Sequence, residues 1–318
     1  MREKSKNVCS IGQNLGRIRS NRKLNFDGFI GVDWSGAKGP YLPGLQVAIA
    51  EPGTKPPYLV RPPKGRWWSR HLFASWLLER LRCHRLFIGV DFAFGYPFAD
   101  EGSFFPGLDF QSKTAPALWS LVEQYTKASP NFYGADFYKR KDIEFHRYYL
   151  SPYGKGDLYK FRQRLTEVVC SAVTSPHPVL KCIGAANVGT GSLAGMRFLR
   201  YLLAEVPEYL SVWPFNQSIE SSCIVEVFPR LYFKLANKDP RSWKDIGNIN
   251  ETLVYYKSGK VTSKFEINTE DEADALVTAA ALRFLYTDEE LWSAPKSFEP
   301  ATQAEGWIFG VKEKGYNL

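Results

Sequence analysis

Two short apolar runs with the same ending, residues 27–34 (DGFIGVDW) and 85–91 (RLFIGVD), restrict what this chain can fold into more than any other feature. Both are too short for a buried helix and carry the β-branched residues of a strand. The second is apolar on both faces, so it needs cover on both sides, as in a partly parallel sheet packed between helices. Each run closes on an acid, Asp33 or Asp91. Taking a carboxylate out of water is costly, and acids at the ends of core strands are rarely left without a partner.

The order of elements extends this pattern. LQVAIAE (45–51) reads as a second strand, and PPYLVRPP (56–63) as a third whose prolines suit only a sheet edge. RWWSRHLFASWLLERLR (66–82) places Leu72, Trp76, Leu77, Arg80 and Leu81 in helical rhythm. A right-handed crossover through this helix returns strand four beside strand one, which sets Asp33 and Asp91 at one edge. SSCIVEVF (221–228) is a fifth strand carrying Glu226, and residues 270–286 form a terminal helix with Ala273, Leu276, Val277, Ala280 and Phe284 inward. The stretch from about 95 to 220 far exceeds an ordinary connection. It reads as a mostly helical insertion with helices over 116–128, 161–173 and 192–206; 244–260 is a further helical or mixed stretch. The expected fold is α/β: a mixed five-stranded sheet flanked by helices, in a single domain over 27–312.

Four acids then need an explanation. Asp33 and Asp91 each precede turn-rich residues and suit Asx turns; Glu226 within VEV suits an outward-facing strand position. Thr269 with Glu272 forms a capping box, which accounts for Glu270, Asp271 and Glu272 at a helix N-terminus. It does not account for Asp274, which lies beyond the cap and opens the apolar stretch ALVTAAAL. Asp271 lies three residues earlier on the same helix face. Taken together, Asp33, Asp91, Glu226 and Asp274 are candidate catalytic carboxylates, and Asp33, Asp91, Asp274 and Asp271 candidate ligands of Mg2+ or Mn2+, which favour hard oxygen donors. Arg230 and Lys264 are candidate phosphate contacts.

These segments resemble the DUF429 family, predicted nucleases of the ribonuclease H-like fold. The resemblance spans roughly 27–312 and rests on the order of GVDWSG, IGVDFAFGYP, RLTE, GTGSLAGM, VWPF, VEVFPR, DEADALVTAAALR and EGWIFG. It implies Asp33, Asp91 and Asp274 as metal ligands, with Glu226 a weaker match, and adds Arg164 and Glu167 of RLTE to the substrate-binding candidates. The activity implied is metal-dependent phosphodiester hydrolysis, with two cations roughly 3.5–4 Å apart in such sites. Two other classes remain. GVDWSGAKG also resembles the phosphate loop of an actin-like phosphotransferase, although only one set of strands is present. A non-catalytic binding protein with an inactive ribonuclease H-like fold is the other.

Charge qualifies the choice of partner. Residues 1–26 hold seven cations against Glu3, a net +6 of the chain's +8, which leaves +2 for the rest. This tail reads as disordered, and the nearly neutral body gives no electrostatic proof of a nucleic-acid partner. Within 131–161, ten aromatics interleave with basic residues. That pattern suits base stacking, or a Tyr-rich loop packing over the site edge, with Asp136, Asp142, Glu144 and Asp157 offsetting the charge. GAANVGTGSLAG (184–195) precedes a helix and suits an anion cradle at its N-terminus, or a flexible turn with Ser192 as N-cap, the reading favoured because GxGxxG and GK[ST] spacing are both absent. Five cysteines without CxxC spacing fit reduced thiols in a cytoplasm rather than disulfides or zinc. No apolar run approaches the ~18 residues that span a bilayer.

Overall fold

The computed structural model describes residues 25–110, 112–184, 187–216, 218, 220–262, 265–293 and 298–313. The basic tail through residue 24 and Lys264 lie outside them. Phe26, assigned to the tail on sequence, is buried and stacks on Phe87 at 5.1 Å, so the folded body begins slightly earlier.

The first half follows the predicted order: β1 (Gly28–Asp33), β2 (Gln46–Ala50), β3 (Tyr58–Leu59), α1 (Arg70–Leu81) and β4 (Leu86–Val90). The insertion holds α2 (Ala115–Thr126), α3 (Asp136–Lys139), a hairpin of β5 (Leu150–Ser151) and β6 (Gly154–Lys155), α4 (Leu165–Cys170), α5 (Val188–Glu205) and β7 (Leu210–Val212). Then come β8 (Ser222–Glu226), α6 (Pro229–Leu235), α7 (Ile246–Tyr255), α8 (Glu270–Leu285) and α9 (Ala301–Glu305). The main sheet runs β3-β2-β1-β4-β8-β7, with β2 antiparallel to β3 and β1, and β1, β4, β8 and β7 mutually parallel. It therefore has six strands, not five. The added β7 is three residues long, too short for periodicity to reveal. The insertion is also less helical than expected, since the predicted 161–173 helix spans only Leu165–Cys170.

From residue 188 on, the Gly-rich stretch is helix rather than turn. Residues 188–195 begin α5, and Asn187 caps the helix by accepting the Thr190 N–H at 3.2 Å. Ser192 lies inside the helix and accepts the Ala93 N–H at 3.1 Å. The glycines allow close approach rather than bending. A Cβ at Gly195 would lie 2.3 Å from the Phe92 ring, and one at Gly36 would lie 2.5 Å from the Gly191 nitrogen.

Strand alternation divides the core. Ile30, Val32, Ile88, Val90 and Ile224 pack in one cluster with residues of α1, α2 and α5; Phe29, Phe87 and Val225 pack in another with α8. On the α8 side, Gly31 and Gly89 stand opposite each other in the parallel register. A Cβ at Gly31 would sit 2.2 Å from the Ala275 oxygen and 2.6 Å from the Ala279 nitrogen. The alanine-rich α8 thus rests its backbone directly on Gly31, while Gly89 makes room for the Val227, Leu282 and Thr278 side chains.

Strand propensity alone favours Ala over Gly at position 31 by roughly 0.5–1 kcal/mol. The contact predicts the opposite sign: Gly31→Ala lowers unfolding free energy by about 1–3 kcal/mol in urea titration. A neutral or stabilising result would contradict the close packing of α8.

Candidate active site

The site forms at the C-terminal edge of the parallel strands. Asp33 ends β1, and Asp91 follows β4, its N–H donating to the Val32 oxygen at 3.1 Å, so the two acids stand side by side as the crossover argument expects. Because α8 lies so close to the sheet, its first turns reach the same edge and bring Asp274 and Asp271 there. Asp91, Asp274, Asp271 and Arg230 line a cleft of about 480 Å³. Asn187 and Val188, at the start of α5, form part of its wall.

These acids burden one another. Burial, then the charges of Asp274 and Asp91, holds the Asp33 carboxyl well above the ordinary carboxylate range. Burial, then Asp91, does the same to Asp274. Asp91 is pushed up to about 7, by burial first and the Glu226 charge second. Asp271 rises to about 6, through burial and then its neighbours Glu270 and Glu272. Oδ1 of Asp274 is buried without a hydrogen-bond partner among the described residues. Arg230, exposed in the first turn of α6, is the cation whose charge acts downward on both Asp91 and Asp274.

Glu226 belongs to a different arrangement. In the β4–β8 register Val225 pairs with Gly89 and Glu226 with Val90, so Glu226 emerges on the face opposite α8. There Arg164 grips it twice, Nη1 to Oε2 at 2.8 Å and Nη2 to Oε1 at 2.5 Å. Oε2 also accepts the Phe94 N–H at 2.9 Å. Arg164 Nε donates to Glu167 Oε1 at 2.8 Å, and Arg164 and Glu167 are both fully enclosed. Arg164, Glu167 and Glu226 therefore form a buried ion-pair network on the cleft wall, whereas the sequence grouped Glu226 with the aspartates and only Arg164 with Glu167. The capping box holds in part: Glu272 N–H donates to Thr269 Oγ1 at 3.1 Å, while the Glu272 carboxylate accepts from Asn268 and Arg61.

Two residues central to the site's shape escape sequence reading. Arg70 is wholly buried and donates to the Ser35 and Ala37 oxygens, fixing the loop that follows Asp33. In a helical pattern it reads as a surface cation. Glu305, also buried, accepts N–H groups of Phe98, Ala99 and Leu165, tying α9 to the segment after β4 and to α4. Its only sequence signal is its place in EGWIFG.

Among the described residues no three His, Cys, Asp or Glu side chains are placed, as they stand, to hold one metal ion. The donor chemistry nevertheless suits a hard divalent cation: carboxylate oxygens only, mutually repelling, one of them orphaned. No described helix is long and apolar enough to cross a membrane. Comparison with protein-family models, curated proteins and solved structures finds no match to this chain.

A carboxyl whose folded-state pKa is raised binds its proton more tightly in the folded than in the unfolded chain, so stability falls as pH rises between the two values. For Asp91 that window runs from about 3.9, the unfolded value, to about 7. In chelator, the thermal midpoint should therefore fall from pH 4.5 to pH 7.5, and Asp91→Asn should reduce the fall and raise the midpoint at pH 7.5. Equal pH profiles for the two proteins would mean that Asp91 is not strained by its neighbours.

Proposed function

We propose that the protein is a divalent-cation-dependent hydrolase of phosphodiesters, nuclease-like in its chemistry, built on a ribonuclease H-like sheet. The observation that carries this reading is the convergence of Asp33, Asp91 and Asp274. Three separate elements deliver them to one place, Asp33 buried and Asp91 and Asp274 half-buried, with no ion-pair partner among the described residues. Raised proton affinity at several neighbouring acids is a feature of functional sites, where stability is given up for chemistry. The fold part of the reading is supported by the opening antiparallel strands, the crossover to a parallel fourth and the helix that covers them, together with the DUF429 resemblance.

Asp33, Asp91 and Asp274 would hold the cation, Mg2+ or Mn2+, with Asp271 beside them. Bound there, it supplies Lewis-acid polarisation of a phosphoryl oxygen and lowers the pKa of an attacking water. Arg230 stands exposed at the rim, free to contact the non-bridging oxygens of a phosphate. Its positive charge also favours approach of an anionic substrate to an otherwise acidic cleft. Arg164, neutralised by Glu226 and Glu167, keeps the opposite wall rigid rather than adding net charge to it. Burying the loop-fixing guanidinium of Arg70 holds the backbone after Asp33 in one place, so the acid's position is set before substrate arrives.

The test is hydrolysis of bis(p-nitrophenyl) phosphate with Mn2+ or with EDTA. The wild type should show a Mn2+-dependent rate that drops to the protein-free blank in Asp33→Asn and in Asp274→Asn, with thermal midpoints unchanged or raised. A retained rate in either variant, or a collapse of its midpoint, would remove that residue from the catalytic set.

A further inference from the structure

Of the ten aromatics of 131–161, six are buried, Tyr133 and Tyr159 are half-buried, and Tyr153 and Phe161 are exposed. Phe132, Phe137, Tyr138, Phe145, Tyr148 and Tyr149 are core residues. Phe137 stacks on Phe145 at 4.8 Å, and Tyr148 and Tyr149 pack around them against Phe105 and Tyr96. The packing-loop reading explains these six. It does not explain Tyr153, which is 56 % exposed at the tip of the β5–β6 hairpin.

The hairpin tip is well fixed. Ser151 pairs with Gly154, leaving Pro152 and Tyr153 as the connection, and Gly154 takes a φ of +123° that glycine readily adopts. Proline restricts the residue before the tyrosine. A lysine attends each of two rings: Lys139 Nζ lies 5.8 Å from the Tyr153 centroid, and Lys155 Nζ 5.8 Å from that of Tyr159. Pairing then sorts the charges of the segment. Arg140 is paired with Asp142, Arg147 with Asp157, and Lys160 with Glu101. Lys139, Lys141, Lys155 and Lys181 form no ion pair among the described residues. Three of the four acids that seem to neutralise this segment in the sequence, Asp142, Glu144 and Asp157, are thus spent on arginines, the fourth, Asp136, accepts the Ser129 hydroxyl, and these lysines of the segment are left without an ion pair among the described residues.

The hairpin is also joined to the cleft. The Tyr153 ring lies 6.3 Å from Tyr138, whose hydroxyl shares a hydrogen bond of 2.9 Å with Thr190 Oγ1 in the first turn of α5. Asn187 and Gly191 of that same turn line the cleft. A second connection runs through 177–182: His177 lines the cleft, while Lys181 bridges to Leu150 of β5.

We propose that the β5–β6 hairpin is a stacking platform for a single-stranded nucleic acid, whose base rests on Tyr153 while Lys139 and Lys155 meet its phosphates. This rests on the hydrolase reading of the cleft for its role, naming the substrate class of that site, but not for the binding itself. An exposed aromatic face flanked by unpaired cations accepts any unstacked base and its backbone, whereas a duplex buries its base faces and offers none to Tyr153. The occupant fits in charge as well: the strand's phosphates face lysines, and only its scissile phosphate meets the acids.

The experiment measures fluorescence anisotropy of labelled oligo(dT) and oligo(U) of about 15 nucleotides in EDTA, beside Mn2+-dependent hydrolysis of bis(p-nitrophenyl) phosphate. Tyr153→Ala should weaken oligonucleotide binding by roughly 5–100-fold. Lys139→Ala with Lys155→Ala should flatten its salt dependence, and hydrolysis of the small diester should be unchanged in both. Binding that ignores Tyr153, absence of binding by the wild type, or a blunt duplex bound as tightly as the single strand would overturn the platform. Oligonucleotide binding through Tyr153 by a wild type inert towards the small diester supports the platform while contradicting the hydrolase reading.

Discussion

Contact between the α8 backbone and Gly31 governs the rest of the molecule. A side chain larger than hydrogen at this position would lift the helix from the sheet. Lifting the helix would carry Asp274 and Asp271 away from Asp33 and Asp91. A packing choice made in the middle of the sheet therefore decides whether Asp91, Asp271 and Asp274 share one cleft at its edge with Asp33 buried beside them. The alanines of α8 serve the same purpose from the other side, because small side chains let the helix settle without leaving voids.

The protein treats its buried acids in two ways. Glu226 and Glu167 are satisfied by Arg164, and Glu305 by three backbone N–H groups. Breaking such a network leaves a charge stranded in the interior, which is strongly destabilising. Asp33, Asp91 and Asp274 have no comparable partner among the described residues, and burial together with mutual repulsion raises their proton affinity. The contrast matters because Glu167 and Glu226 line the same cleft as Asp91 and Asp274. A fold able to supply hydrogen-bond donors to three glutamates has not done so for three aspartates, and this difference supports a functional role for the latter.

Much of this arrangement is legible in the sequence, for reasons that can be named. The runs ending in Asp33 and Asp91 fix two strands, and the handedness of the crossover makes them neighbours. Asp274 stands out because the helix cap is complete before it. Glu226 is different: its strand is apolar on both sides, so only its register against β4 reveals that it faces Arg164 rather than the aspartates. The glycines of 184–195 carry a turn signal in sequence, yet those from 189 onward lie within α5, close to Gly36 and Phe92. Such close approach depends on partners far away in the chain. Arg70 and Glu305 look like surface charges until their backbone partners, likewise distant in sequence, are in place.

The most direct test of the central claim is a calorimetric Mn2+ titration of the wild type beside Asp33→Asn and Asp274→Asn, in the absence of nucleotide. The account predicts binding in the micromolar-to-millimolar range by the wild type and its loss in both variants. Heats that are equal in all three proteins, whether measurable or negligible, would contradict a cation site shared by these carboxylates.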